Sequence, residues 1–176
     1  MKHPLDFLPA NSRKPLFWGF LAWTLVLLFL FQPLNRPLMT AAAPSGIISL
    51  QLAWTADNAQ VILDGWDANT RLFAAFGLGF DYLFMPVYAL ALALGALLAA
   101  GRHPGWFAKL GGWAAFGAFL AALCDGVENL GQFHQLFNGR VDLAPAIGIF
   151  AVVKFGLILA TLAYGLAGWF WPKAKR

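Results

Sequence analysis

The stretch WFAKLGGWAAFGAFLAALCDGVENLGQFH, from Trp106 to His134, decides the fold class because it joins a membrane-length apolar run to a row of polar residues. A helix needs about 20 predominantly apolar residues to cross a bilayer. The stretch therefore predicts a membrane-spanning helix from about Trp106 to Gly131.

Three further apolar runs predict spans over about 15–34, 72–100 and 143–171. The 176-residue chain is 60% hydrophobic and 11% charged, whereas soluble domains carry about 25% charged residues. Its composition predicts an integral membrane protein. Because the connections between the last three runs are short, we expect an all-α four-helix bundle that forms one domain over 1–176.

Four polar residues near the end of the third run share one helical face. Asp125, Glu128, Asn129 and Gln132 fall at positions i, i+3, i+4 and i+7, and Glu128 is the only glutamate in the chain. An ionised group facing lipid costs several kcal/mol. We therefore expect this face to point toward the other helices.

Two other spans carry charged residues at a similar depth. At about 1.5 Å per residue, Asp81 lies roughly 13 Å from the outer end of its span and Lys154 roughly 16 Å, beside roughly 12 Å for Asp125. With Glu128, these residues form three carboxylates and one ammonium, and Arg71 at the outer mouth offsets at most one charge. We expect a protonated carboxyl or a bound cation there.

The surplus of acid predicts acid–base chemistry in the outer half of the membrane. Glu128 or Asp125 would be the acid, Asp81 the base or charge stabiliser, and Lys154 would hold one carboxylate ionised. The residues predicted to bind a ligand beside these four are Tyr82, Tyr88, Asn129, Gln132, Trp66 and Arg71. The structural alternative is that the cluster only joins the helices.

Basic residues outside the spans predict the orientation of the chain. Lys2, Arg13 and Lys14 precede the first span, and Lys173, Lys175 and Arg176 follow the last. Under the positive-inside rule both termini are cytoplasmic, and we expect a bacterial inner membrane. The first run followed by TAAAPSG also resembles a signal peptide with a cleavage site near 41–43. Its length favours a retained helix.

The long outer loop, residues 37–71, contains signals for a short helix. Thr55 is a suitable N-cap for a helix carrying Val61, Ile62 and Trp66, and Asp67 is suited to cap the next helix. This pattern predicts an interfacial helix on the outer surface, with a lid or a plain connector as alternatives. The segment FHQLFNGRVDLAP, from Phe133, is interpreted as the second outer loop.

The sequence predicts no cofactor and no nucleic-acid partner. Cys124 is the only cysteine, there is no CxxC motif, and the three histidines are far apart in the chain, so neither a zinc site nor haem is expected. A metal held by Asp81, Asp125 and Glu128 is a minor alternative, which Lys154 disfavours. The basic residues fit cytoplasmic loops better than a nucleic-acid surface.

The layout resembles that of the EXPERA membrane proteins, the group that includes the emopamil-binding sterol isomerase and the sigma-2 receptor. The resemblance lies in four helices, a long first outer loop and acidic residues within the membrane. It implies a cavity in which Asp81, Asp125 and Glu128 bind an amine or stabilise a carbocation during double-bond isomerisation. Lys154 and DGVEN depart from that pattern. FDYLFMPVYAL and LCDGVENLG also resemble segments of small bacterial membrane proteins.

Three functions are consistent with these features. The first is binding, and acid–base conversion as in an isomerase, of an amphiphilic lipid or isoprenoid-like molecule. The second is proton-coupled transport, which would need a homo-oligomer because the inner halves of the spans contain almost no charge. The third is an assembly or scaffold role in which the polar cluster is purely structural.

Overall fold

The computed structural model describes Leu5 and residues 7–171, and within these residues the chain is helical with no strand. The helices are α1 (Ala10–Asn35), α2 (Ile47–Gln51), α3 (Ala56–Asp64), α4 (Ala68–Ala100), α5 (Trp106–Asn138) and α6 (Ala144–Phe170). Short 3-10 turns cover Arg36–Leu38 and Val141–Leu143.

Four of these helices, α1, α4, α5 and α6, are long and apolar enough to cross a membrane. The prediction of an all-helical chain with four apolar spans is confirmed, and this indicates an integral membrane protein compatible with a four-helix bundle. The terminal residues used to predict the orientation, Lys2, Lys173, Lys175 and Arg176, lie outside the described residues.

The chain divides into two compact units, and each long helix contributes a segment to both. The first unit contains the described residues as far as Leu25, residues 86–122, and the described residues from Lys154 onward. The second unit contains residues 26–85 and 123–153. The predicted outer loop and the polar face of α5 both belong to the second unit.

The first unit is held by close packing of small residues and by polar contacts to backbone carbonyls. The Tyr164 hydroxyl donates to the Phe107 carbonyl at 2.7 Å, and its ring stacks on the Phe107 ring. The connection between α4 and α5 covers the end of α6, since His103 Nε2 donates to the Gly168 carbonyl at 3.0 Å. Arg102 lies over the Trp169 ring, 5.4 Å from its centroid. Together they supply donors to the last carbonyls of α6.

The second unit has an apolar core that includes the segment between α1 and α4. Its fully buried members come from α2, α3 and the segment before them, and also from α4, α5 and α6. They include Leu38, Leu50, Ile62, Leu63, Trp66, Leu78, Leu136 and Ala144. The segment is therefore folded against the long helices and is more than a connector.

Both helix caps predicted in this segment are confirmed. The Thr55 side chain accepts a hydrogen bond from the Asn58 backbone N–H at 3.2 Å and caps α3. The Asp67 carboxylate accepts the Thr70 N–H at 2.7 Å at the start of α4. Ala43, at the alternative cleavage site, is fully buried in the core of the second unit.

The helix that carries the third span is longer than predicted. The sequence interpretation placed His134 past the end of this helix, which is wrong because α5 continues to Asn138. Polar residues lower the hydropathy after Gly131 but do not break backbone hydrogen bonds. The helix ends at Gly139, whose φ of +63° leaves the helical region. The His134 side chain is exposed.

A tight turn before α2 depends on glycine. Gly46 has a φ of +61°, and a Cβ there would overlap the Asn35 side-chain amide. That amide holds the turn, since Asn35 Oδ1 accepts the Ile47 N–H at 2.9 Å and Nδ2 donates to the Ser45 carbonyl at 3.3 Å. The turn therefore ties the end of α1 to the start of α2.

Replacing Gly46 with alanine is expected to destabilise the protein by about 1–3 kcal/mol, because a side chain is strained at positive φ. The free energy of unfolding in mixed micelles measures this loss. Gly77→Ala is the control, since Gly77 is helical and has open space around its Cβ position. Equal stability of the two variants would contradict the assigned role of the turn.

The Asp67 cap predicts a pH-dependent contribution to stability. Hydrogen bonds from the Thr70 backbone and side chain lower the Asp67 pKa below the ordinary value of 3.8. A lowered folded-state pKa stabilises the protein above 3.8, and the contribution is lost as pH falls through the folded-state pKa. Asp67→Asn keeps a capping oxygen without the titration. We expect any melting-temperature advantage of the wild type at pH 6 to disappear in strong acid, and a pH-independent difference would contradict this cap.

Candidate functional site

The polar face of α5 is buried, as the sequence predicted for a face that avoids lipid. Asp125 is 3% exposed, and Glu128, Asn129 and Gln132 are 0% exposed. A fifth member, Gln135, is 1% exposed. We call these five residues the polar face. Because polar groups are costly to bury without partners, each of them needs hydrogen bonds from the protein or from a bound molecule.

One end of the polar face is bonded to α4. Asn129 Nδ2 donates to Asp81 Oδ2 at 2.7 Å, and the Asp81 side chain is half-buried. The two residues are 48 positions apart in the sequence. Equal depth on two spans thus correctly predicted the proximity of Asp81 to the polar face.

A second contact between α4 and α5 lies beside the first. The Tyr82 hydroxyl donates to the Gly126 carbonyl at 3.2 Å, although the Tyr82 side chain is 46% exposed. Pro86, inside α4, has no N–H to offer the Tyr82 carbonyl. The Tyr82 carbonyl therefore lacks the usual helical hydrogen bond from the residue four positions later.

Glu128 receives its hydrogen bond from Gln132, within the same helix. Gln132 Nε2 donates to Glu128 Oε1 at 2.8 Å, one helical turn away. Both side chains are fully buried. Each acid named in these two bonds, Asp81 and Glu128, therefore receives a hydrogen bond from a carboxamide of the polar face.

Three carboxamides of the polar face have polar atoms left over. Within the described residues, Asn129 Oδ1, Gln132 Oε1 and both polar atoms of Gln135 have no hydrogen-bond partner. Buried polar atoms in folded proteins are paired in the great majority of cases. Four such atoms on one helical face therefore indicate a place where water or a bound molecule supplies the missing bonds.

Tyr88 and Lys154 are buried and belong to the first unit. Tyr88 is 3% exposed on α4, and Lys154 is 4% exposed on α6. The Lys154 ammonium lies 4.6 Å from the centroid of the Phe155 ring. Burial of Lys154 fits the expectation that a charged side chain avoids lipid. The predicted place of both residues in one site with the acids stays a prediction.

Trp66 and Arg71 make contacts within the folded segment 37–71, which we call the outer segment after its predicted position. Trp66 is 2% exposed, and its indole N–H donates to the Leu38 carbonyl at 3.0 Å. Arg71 donates to the Trp66 carbonyl at 3.1 Å and to the Leu63 carbonyl at 2.7 Å. These bonds give both residues a structural role. Their predicted contact with a ligand stays a prediction.

Sequence reasoning missed Gln135 because it ended the span too early. Gln135 follows Gln132 by three residues, so the same helical spacing identifies it once α5 is known to continue. The Gly126 carbonyl was also missed, because no side-chain pattern marks a backbone acceptor.

The outer segment contains an open cavity of 440 Å³ against α2 and α3. Its polar lining consists of Ser45, Ser49 and Asn58, and the remaining lining residues are apolar. With no titratable side chain in its lining, this cavity does not provide acid–base chemistry.

Among Leu5 and residues 7–171, no three His, Cys, Asp or Glu side chains are arranged to hold a metal ion. The carboxylate metal site considered from the sequence therefore gains no support from the geometry. The comparisons with known proteins add no further identification, since no protein-family model, no curated protein and no solved structure matches this chain.

Replacing Asn129 with alanine is expected to destabilise the protein by about 1–3 kcal/mol, because a buried hydrogen bond to a carboxylate is lost. The free energy of unfolding in mixed micelles tests this. Asn138→Ala is the matched control on the same helix, because Asn138 is exposed. An unchanged stability of Asn129→Ala would contradict the assigned link between α4 and α5.

Proposed function

We propose that this chain is an integral membrane protein whose polar face binds an amphiphilic lipid or isoprenoid-like molecule and acts on it by acid–base chemistry. The observation that carries the proposal is the burial of the five polar-face side chains inside an apolar helix, with four carboxamide atoms of Asn129, Gln132 and Gln135 left unbonded by the described residues. A purely structural cluster would be expected to pair these atoms internally.

The three acids differ in burial, and we assign them different chemical roles on that basis. Glu128 and Asp125 are almost fully buried, which suits a carboxylic acid that delivers a proton. Asp81 is less buried and receives the Asn129 amide, which suits a base or a stabiliser of developing positive charge. Lys154 is the predicted counter-charge that holds one carboxylate ionised.

The substrate class follows from the medium around the site. The polar face lies on a helix that is otherwise apolar and long enough to cross a membrane. A molecule that reaches such a face from the bilayer has an apolar body and a small polar group. The resemblance in layout to the EXPERA proteins favours an isomerase-type reaction on such a molecule.

The proposal includes the orientation predicted from the basic residues. Both termini lie on the cytoplasmic side of a bacterial inner membrane, and the α2–α3 segment lies at the outer surface. Exposed Ile48, Trp54 and Val61 on this segment support its position at the membrane interface.

Native mass spectrometry with lipid extraction tests the proposal on the purified wild type and on Asp125→Asn and Glu128→Gln. We expect a defined amphiphile that co-purifies with the wild type and falls at least tenfold in both variants, because each variant removes an acid of the polar face. Asp57→Asn is the control, since Asp57 is an exposed acid of the same unit.

The structural alternative gives a different result. If the polar cluster only joins helices, the two variants lose heat stability while their bound lipids match those of the wild type and of Asp57→Asn. That outcome would refute a ligand site at the polar face and would favour an assembly or scaffold role.

A further inference from the structure

Two carboxamides of the polar face direct their amide nitrogens at acid oxygens, which can accept an N–H whether the acid is ionised or protonated. Asn129 places its Nδ2 on Asp81 Oδ2 at 2.7 Å, and Gln132 places its Nε2 on Glu128 Oε1 at 2.8 Å. In each amide the nitrogen is therefore committed to an acid. The carbonyl oxygens, Asn129 Oδ1 and Gln132 Oε1, are left as neutral acceptors.

These two oxygens are buried and have no partner among the described residues. Gln135, one further step along the same face, adds an amide N–H₂ donor and a carbonyl acceptor that are equally unpartnered there. Gln132 and Gln135 are three residues apart, so their side chains are neighbours on the helix surface. A small polar group bound between them can therefore form hydrogen bonds with both an acceptor and a donor.

A hydroxyl group matches this pair of carboxamides. It donates one hydrogen bond and accepts others, so it satisfies Gln132 Oε1 and Gln135 Nε2 together. An ether only accepts and leaves the buried Gln132 carbonyl unbonded, which costs free energy. An ammonium only donates, so it leaves the buried Gln135 amide donor unbonded.

From this match we propose that the molecule bound by the polar face is a hydrophobic alcohol, whose hydroxyl is recognised by Gln132 and Gln135. This inference rests on the proposed function and narrows its substrate class from amphiphiles in general to apolar molecules with a free hydroxyl. Asn129 and Gln132 then have two tasks, to hold the acids with their nitrogens and to present acceptors to the ligand. Gln132 and Gln135 determine specificity and take no part in proton transfer.

The test compares three probes that share one apolar chain: farnesol, farnesyl methyl ether and farnesylamine. Binding of each to the full-length wild type in lipid nanodiscs at pH 7 is measured by native mass spectrometry. We expect farnesol to bind about tenfold more tightly than the ether, since one buried hydrogen bond of ordinary strength separates them. We expect the amine to bind more weakly than the alcohol.

Variants locate the recognition. Gln132→Leu and Gln135→Leu are each expected to lose the tenfold preference for farnesol over the ether. Gln60→Leu is the matched control, because Gln60 is an exposed glutamine on α3, and it is expected to keep the tenfold preference. Ether binding that remains measurable shows that a variant is folded. If a variant fails to fold, the wild-type comparison of the three probes still decides.

The outcomes separate the failure of this inference from the failure of the proposed function. Equal binding of alcohol and ether, or tighter binding of the amine, overturns the inference while a lipid-binding polar face stands. If both Gln132→Leu and Gln135→Leu keep the preference for farnesol over the ether, the inference is also overturned, because other residues then bind the hydroxyl. No binding of any probe, together with no co-purifying lipid, overturns both.

Discussion

The central constraint on this molecule is that polar side chains buried in a membrane-spanning helix must find hydrogen-bond partners away from water. The polar face of α5 meets this constraint only in part. The Asn129 amide nitrogen binds Asp81 on α4, which ties these two helices together in the second unit, and the Gln132 amide nitrogen binds Glu128 within α5. The amide oxygens of the polar face remain available, and the proposed chemistry depends on this division.

The outer segment is organised by the same requirement for backbone partners. Individual hydrogen bonds from side chains to backbone groups join its pieces. They run from Asn35 to the turn at Gly46, from Trp66 to Leu38 and from Arg71 to Leu63. Trp54 adds a strained element, since its φ of +61° is unusual for a residue with a side chain. Its ring packs where a Cβ on Gly148 would be only 2.9 Å away. The glycine on α6 therefore makes room for the tryptophan.

Hydropathy and helical spacing predicted most of the architecture and part of the site. Four apolar runs gave the spans, and the spacing of Asp125, Glu128, Asn129 and Gln132 gave one buried face, because helix periodicity is a local property of the chain. The sequence predicted that Asp81 and the polar face lie at similar depth, but it did not predict the hydrogen bond between Asp81 and Asn129. That bond depends on the rotation of each helix about its axis, which is set by neighbouring helices. The end of α5 was missed because hydropathy reports membrane depth, while Gly139 ends the helix through its backbone conformation.

The core of the second unit has a consequence for the order in which the protein is made. Leu50, Ile62 and Leu63 of the outer segment pack in one cluster with Leu136 and Ala144, which are synthesised much later. During synthesis the α2–α3 segment therefore lacks these core partners until α5 and the start of α6 have been made. Completion of this core is a late, long-range step, and such steps are slow because a long loop must close first. Newly inserted chains are thus most vulnerable to proteases and misassembly at this segment, before the last helix arrives.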